Sequence, residues 1–146
     1  CASIFKEVNP KGKVIMVGPH ISVLPQEVLE DAMGAVDIAV RGEYEYVVLE
    51  TIKALKGSGN ISQINGISYY DSKGEIKHNP NQPLIENLDE LPYPAWGHLD
   101  MRKYFDGIKL YPYIDIIGGR GCPNICTFCL WPQTLYKEHK YRCDIG

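Results

Sequence analysis

Two apolar runs, each closed by a glycine and each followed by a helix-forming stretch, constrain this chain more than any other feature. The first, KVIMVG at 13–18, is continuous rather than alternating, as expected of a strand buried on both faces. LPQEVLEDAMG follows it. Pro25 suits a first helical position, acidic residues occupy the first turns, Val28, Leu29, Ala32 and Met33 are predicted on one apolar face, and Gly34 is the stop. The second run, VDIAVRG at 36–42, leads into EYEYVVLETIKALKGSG at 43–59. Here Val48, Ile52 and Leu55 share a predicted face and Gly57 stands where a left-handed cap belongs. The order β-α-β-α predicts a parallel sheet covered by helices, with ligands bound at the carboxyl ends of the strands. Residues 2–12 read as the tail of a preceding helix plus a turn.

From about residue 61 the pattern changes. INGISYYDSKGEIKHNP reads as a hairpin whose turn, DSKG, is suited by Asp71 and Gly74. NQPLIENLDELPYPAWGHLD mixes prolines with acidic residues without periodicity, as in a linker laid along a surface. KLYPYIDIIGG at 109–119 regains a strand signal through Tyr113, Ile114, Ile116 and Ile117 and delivers the chain into a cysteine-rich loop.

With 146 residues, 45% hydrophobic and 23% charged, the chain has the composition of about one soluble domain. A net charge of -3 gives no basic footprint, so nucleic acid is not an expected partner. No apolar stretch approaches the length of a spanning helix and no secretory signal opens the chain, so the expectation is a cytoplasmic protein without a transmembrane segment. Five cysteines, three of them crowded, disfavour a disulfide framework and favour reduced thiols on a metal. The chain begins at Cys1 without an initiator Met and stops at YRCDIG, which suggests a fragment.

Cys122, Cys126 and Cys129 are spaced Cys-x3-Cys-x2-Cys on a loop loosened by Gly118, Gly119 and Gly121. A structural zinc site takes four ligands, so zinc would need His139 or Cys143 as well. An iron-sulfur cluster with four metal corners can be held by three thiolates, leaving one iron open for a substrate or cofactor. Both readings stand on spacing alone.

The segment also resembles the cluster signature of radical S-adenosylmethionine enzymes, with Thr127 and the aromatic Phe128 before the third cysteine. The resemblance implies a [4Fe-4S] cluster on Cys122, Cys126 and Cys129, S-adenosylmethionine bound at the open iron and cleaved to a carbon radical, and the Phe128 backbone against the adenine. It also implies an electron donor for the cluster and a small-molecule substrate.

KVIMVGPHISVLPQEVL, VDIAVRGEYEYVVLETIKAL and LDELPYPAW resemble, in order, the latter half of the cobalamin-binding domain that precedes the radical domain in the cobalamin-dependent class. That places Gly18, Pro19, His20 and Ser22 on one loop facing the corrinoid tail and Arg41, Gly42 and Glu43 on the next. The plain alternatives are a tight turn at Gly18 and a solvated His20. The expected organisation is an α/β chain. Residues 1–60 would be the C-terminal half of a Rossmann-like parallel-sheet cobalamin-binding domain. Residues 61–108 would be a hairpin and Pro-rich linker, and residues 109–146 the first strand and cluster loop of a radical (βα) barrel.

The implied function is that of a piece of an enzyme, a methyltransferase or an oxidative cyclase, inactive alone and using cluster, S-adenosylmethionine and cobalamin. A small zinc-binding interaction module is the alternative, and a radical enzyme without cobalamin is a third. Arg120 reads as tuning the charge near the cluster or, as the plain alternative, as solvated or paired with a carboxylate; Trp131, Pro132 and Gln133 read as lining the cofactor mouth, or Trp131 as packing on a barrel end; Tyr141 and Arg142 carry no assigned role.

Overall fold

The computed structural model describes residues 1–124, 126–134 and 141–143. The elements run α1 (Ala2–Val8), β1 (Ile15–Met16), α2 (Pro19–Val23), α3 (Pro25–Asp31), β2 (Ile38–Val40), α4 (Glu45–Lys53), β3 (Ile67–Tyr70), β4 (Ile76–His78), β5 (Gly119–Arg120), α5 (Leu130–Thr134) and β6 (Arg142–Cys143). Single turns of 3-10 helix punctuate the proline-rich stretch at Leu88–Glu90, Trp96–His98 and Met101–Lys103.

Four strands form one sheet in the order β1-β2-β3-β4, and β5 pairs with β6 in a second, two-stranded sheet. The β1-β2 pair is parallel, Ile15 opposite Ile38, as the alternation of strand and helix predicts. The rest of the sheet departs from the expected parallel architecture. β2 pairs antiparallel with β3 (Ala39 opposite Ser68), and β3 antiparallel with β4 (Tyr69 opposite Lys77). The hairpin is therefore built into the sheet rather than lying apart from it as a linker. β3 needs no crossover helix because the chain returns from α4 through Ile61–Gln63 beside the carboxyl end of β2.

Strand parity divides the core. Ile38 and Val40 point to one face and pack with Val47, Ile64 and Ile67, while Ala39 points to the other and packs with Ile21, Leu29 and Val36. α4 covers the first face and α2 with α3 the second. The buried stripe of α4 runs through Val47 and Thr51, with Val48 and Leu55 packed at its margin and Ile52 exposed, one position out of phase with the sequence expectation. Thr51 lies wholly buried because its hydroxyl donates to the Val47 carbonyl at 2.7 Å and so leaves no polar group unsatisfied. The expected left-handed cap at Gly57 is present, with φ 92°.

α3 ends earlier than its apolar pattern suggests. Ala32 caps it, Met33 already has φ 47°, and the Met33 side chain is 90% exposed instead of buried with Leu29. The chain must turn there to bring Val36 under the sheet. Asp37 fixes the turn: it accepts the Val14 N–H at 2.8 Å and pairs with Lys6 at 2.6 Å and Lys13 at 2.9 Å, tying α1 to the start of β2. Burial pushes its carboxyl up, but the Lys6, Val14 and Lys13 contacts outweigh burial and hold it below the ordinary value.

The hairpin turn forms as read. The Asp71 side chain accepts the N–H groups of Lys73 at 2.8 Å and Glu75 at 3.0 Å, and Gly74 takes φ 79°. The strand expected at Tyr113–Ile117 does not form. Those residues pair with no strand, and Ile116 and Ile117 are 80% and 79% exposed. β-branched side chains favour extended backbone, but among the described residues no neighbouring strand offers this segment a ladder.

Replacing Leu29, fully buried between α2, α3 and the sheet, by alanine should cost about 2–5 kcal/mol, read as a lower urea midpoint. Met33→Ala should move it by less than about 0.5 kcal/mol, the reverse of what an apolar-face assignment for Met33 requires.

Candidate functional site

The two loops at the carboxyl ends of β1 and β2 lie side by side. Gly18 leaves β1 with φ 125°, a conformation that favours glycine, and Pro19 then opens α2 at its first position. The expected loop is thus a short helical turn carrying His20 on its exposed side. Ser22 joins the two strand ends: its hydroxyl donates to the Gly18 carbonyl at 2.8 Å and accepts the Gly42 N–H at 2.9 Å. A side chain added at Gly18 or Gly42 would meet nothing within 4 Å, so both glycines line open space along this edge.

The flanking charges turn inward. The Arg41 guanidinium donates to the carbonyls of Ile67 at 3.3 Å and of Asn79, which fastens it to the hairpin and away from the edge. Burial pushes its guanidinium below the ordinary arginine value. Glu43 is 7% exposed. It accepts the Ile85 N–H at 2.6 Å, receives Arg142 on both oxygens at 2.6 and 3.0 Å, and has Arg120 at 3.5 Å. Burial pushes its carboxyl up, yet the Arg142 hydrogen bonds, the Ile85 N–H and the charges of Arg142 and Arg120 together hold it below its ordinary value. Arg120 also bonds Glu45 at 2.5 Å, and Arg142 donates to the Ile85 carbonyl.

Arg120 lies in β5 and Arg142 in β6, opposite each other in the register. Gly119 makes that pairing possible, since a Cβ there would stand 2.5 Å from the Tyr141 hydroxyl and 2.9 Å from the Arg142 carbonyl. Between these strands runs the cysteine segment, and α5, which begins immediately after Cys129, packs against α2. The structure therefore sets the helix that follows the cysteines beside α2, two regions about a hundred residues apart in sequence.

All five cysteines are free thiols, with Cys122 and Cys129 half-buried and Cys126 exposed. The Cys129 N–H donates to the Cys126 carbonyl at 3.0 Å, which places the last two on one turn, and the Asn124 amide reaches the Cys122 sulfur at 3.6 Å. Among the described residues no three His, Cys, Asp or Glu side chains converge closely enough to hold a metal ion. Phe128 is 91% exposed beside them. His139, a ligand in the zinc alternative, lies outside the described residues, and Cys143 sits in β6 opposite Gly119. Trp131 is exposed.

A groove of about 880 Å³ opens next to this site. It is lined by Tyr44, Tyr46 and Leu49 of the α4 region, by Pro92 and Trp96 of the proline-rich stretch, and by Arg120. The sequence does signal the Pro19 helix start, through proline directly after glycine. It carries no signal for Arg142 as a partner of Glu43, because nothing local distinguishes it from a solvated arginine.

No family model matches the chain. It is 36% identical over 129 residues to an uncharacterized methyltransferase of Pyrococcus horikoshii, covering 88% of this chain and 27% of that protein. It is 35% identical over 149 residues to the anaerobic magnesium-protoporphyrin IX monomethyl ester cyclase of Rubrivivax gelatinosus, covering 97% of this chain and 26% of that one. The chain thus spans about a quarter of the length of these curated relatives. Among solved structures, the radical S-adenosylmethionine methyltransferase TsrM from Kitasatospora setae, described with cobalamin and a [4Fe-4S] cluster bound, matches with a TM-score of 0.60. That match has 17% identity and covers 98% of this chain and 29% of TsrM, so it speaks to the fold alone.

Stability should depend on pH through Glu43. A carboxyl held below its ordinary value of 4.5 contributes stability that is fully present above that pH and is lost as pH falls through the folded value. The urea midpoint should drop below about pH 4.5, and Glu43→Gln should flatten that drop, with Asp37 and Asp71, both also held below the ordinary value, contributing to the slope that remains. An unchanged profile in Glu43→Gln would show that the pair with Arg142 contributes nothing to it.

Proposed function

We propose that the chain belongs to the cobalamin-dependent radical S-adenosylmethionine superfamily and forms the junction of such an enzyme, where the strand-end loops of one domain meet the cluster loop of the next; its likeness to a methyltransferase and a cyclase supports this reading. In this reading Cys122, Cys126 and Cys129 hold a [4Fe-4S] cluster. The observation that carries it is the donor set: three free thiols within eight residues, at least partly open to solvent, followed directly by a helix that packs against α2. Three thiolates suit a cluster that keeps one iron for S-adenosylmethionine. When bound, the cluster supplies the electron that cleaves S-adenosylmethionine, and cobalamin supplies a carrier for a methyl group or assists the radical chemistry.

This chain's residues would hold and orient those groups. Asn124 donates to the Cys122 sulfur at 3.6 Å and would help orient it. Phe128 would set its backbone against the adenine. Gly18, His20 and Gly42 would form the rim toward the corrinoid, where the two glycines leave room for close approach, with Ser22 and Glu43 fixing that rim from behind. Domain limits at about residues 60 and 108 follow the same reading, with the hairpin sharing the first domain's sheet.

The relatives include named methyltransferases and named cyclases, which supports radical methylation or cyclisation of a small molecule by the whole protein, with an external electron donor. A cytoplasmic site is in keeping with oxygen-sensitive thiolate ligation, and no helix among the described residues is long and apolar enough to cross a membrane.

Anaerobic reconstitution with iron and sulfide tests the cluster. The wild-type chain should bind about four irons with a brown absorbance that changes on adding S-adenosylmethionine after reduction, and Cys126→Ala should lose both. One tightly bound zinc and no iron uptake would overturn the reading.

A further inference from the structure

The cysteine segment is anchored at both ends by one carboxylate. Arg120 stands two residues before Cys122, Arg142 follows Cys129 by thirteen, and both guanidinium groups reach Glu43 on the loop after β2. Glu43 and Arg142 side chains are each 4% exposed, so this is a desolvated pair rather than a surface one. Arg142 further binds the Ile85 carbonyl while Glu43 accepts the Ile85 N–H, which locks the proline-rich stretch into the same knot. We propose that Glu43 is a positioning residue: it clasps the two arginines that bracket the cysteines, and so fixes how far the thiolates stand from the carboxyl edge of β1 and β2.

The physical basis is the cost of misplacement. Lifting the cysteine segment from the sheet would leave Glu43 with a buried, unpaired charge, a far larger penalty than losing an exposed ion pair. Arg142 donates to both Glu43 oxygens as a bidentate pair, which sets direction as well as distance, and Arg120 adds an ion pair at 3.5 Å. Arg120 is shared with Glu45 at the start of α4, which orients the near arm from a second side. The proposal's consequence for the cluster rests on the three-thiolate reading; the clasp itself does not.

The test uses the intact protein, loaded anaerobically with iron and sulfide, comparing wild type with Glu43→Gln, which keeps the shape and removes the charge. Amide hydrogen exchange at 119–122 and 141–143 should quicken at least tenfold in the variant while β2 and β3 stay protected. The electron paramagnetic resonance signal of the reduced cluster should broaden, a change that simple loss of stability elsewhere would not produce. Equal exchange and an identical signal in the two proteins would overturn the clasp.

If wild type takes up no iron, the cluster reading fails, and the exchange comparison still decides the clasp. Should Glu43→Gln not fold, Arg120→Gln removes only the half-exposed arm. The proposal then requires faster exchange at 119–122, and unchanged exchange there would overturn it.

Discussion

β2 is the constraint on which the rest of the molecule depends. Its three residues, Ile38, Ala39 and Val40, are all buried, and they pair with a parallel strand on one side and an antiparallel one on the other. A strand so placed must be apolar on both faces, and its alternation assigns side chains to two separate cores, one under α4 and one under α2 and α3. Everything polar that this neighbourhood needs is pushed to the strand's ends. Asp37 collects two lysines and a backbone N–H at the entrance, and Arg41 and Glu43 take up partners at the exit.

The two exit charges act in opposite directions. Arg41 reaches back to the carbonyls of the hairpin and closes the sheet upon itself, while Glu43 reaches forward to the cysteine segment. Gly42 between them has φ 73° and no side chain, which allows neighbouring residues to diverge and leaves the backbone N–H free for Ser22. Buried ion pairs contribute little net stability compared with apolar packing of equal volume. Their value here is specificity, since among the arginines near the cysteines only a placement that satisfies Glu43 avoids stranding its charge.

What was legible in the sequence follows from locality. Gly57, the Asp71 turn and the β1-β2 pair are encoded within short windows, by backbone freedom, Asx hydrogen bonding and continuous apolar runs, and all three are found where they were read. The cysteine spacing is local too, and it carries the resemblance from which the functional reading starts. Strand direction is not local. Nothing within 61–80 states that β3 will run antiparallel to β2, because that depends on where the chain re-enters after α4. The inner face of α4 was legible only in part: Val48 and Leu55 pack against the core as read, but Thr51, polar by composition, lies at the centre of that face with its hydroxyl satisfied by the helix itself. Nor could Glu43 be told from a solvated helix-start acid until partners 99 residues away were placed beside it.

The sheet also has two unlike margins. β4 forms one border with only three residues, a lysine held by neighbouring acids, and Pro80 just beyond, features that discourage another strand from docking. β1 forms the other border, with Ile15 and Met16 half-buried and, among the described residues, β2 as its one partner. The sheet is therefore directional in how it can be enlarged: a further strand, from whatever source, is turned away at the hairpin and accepted next to β1, on the side remote from Arg41 and its carbonyl partners.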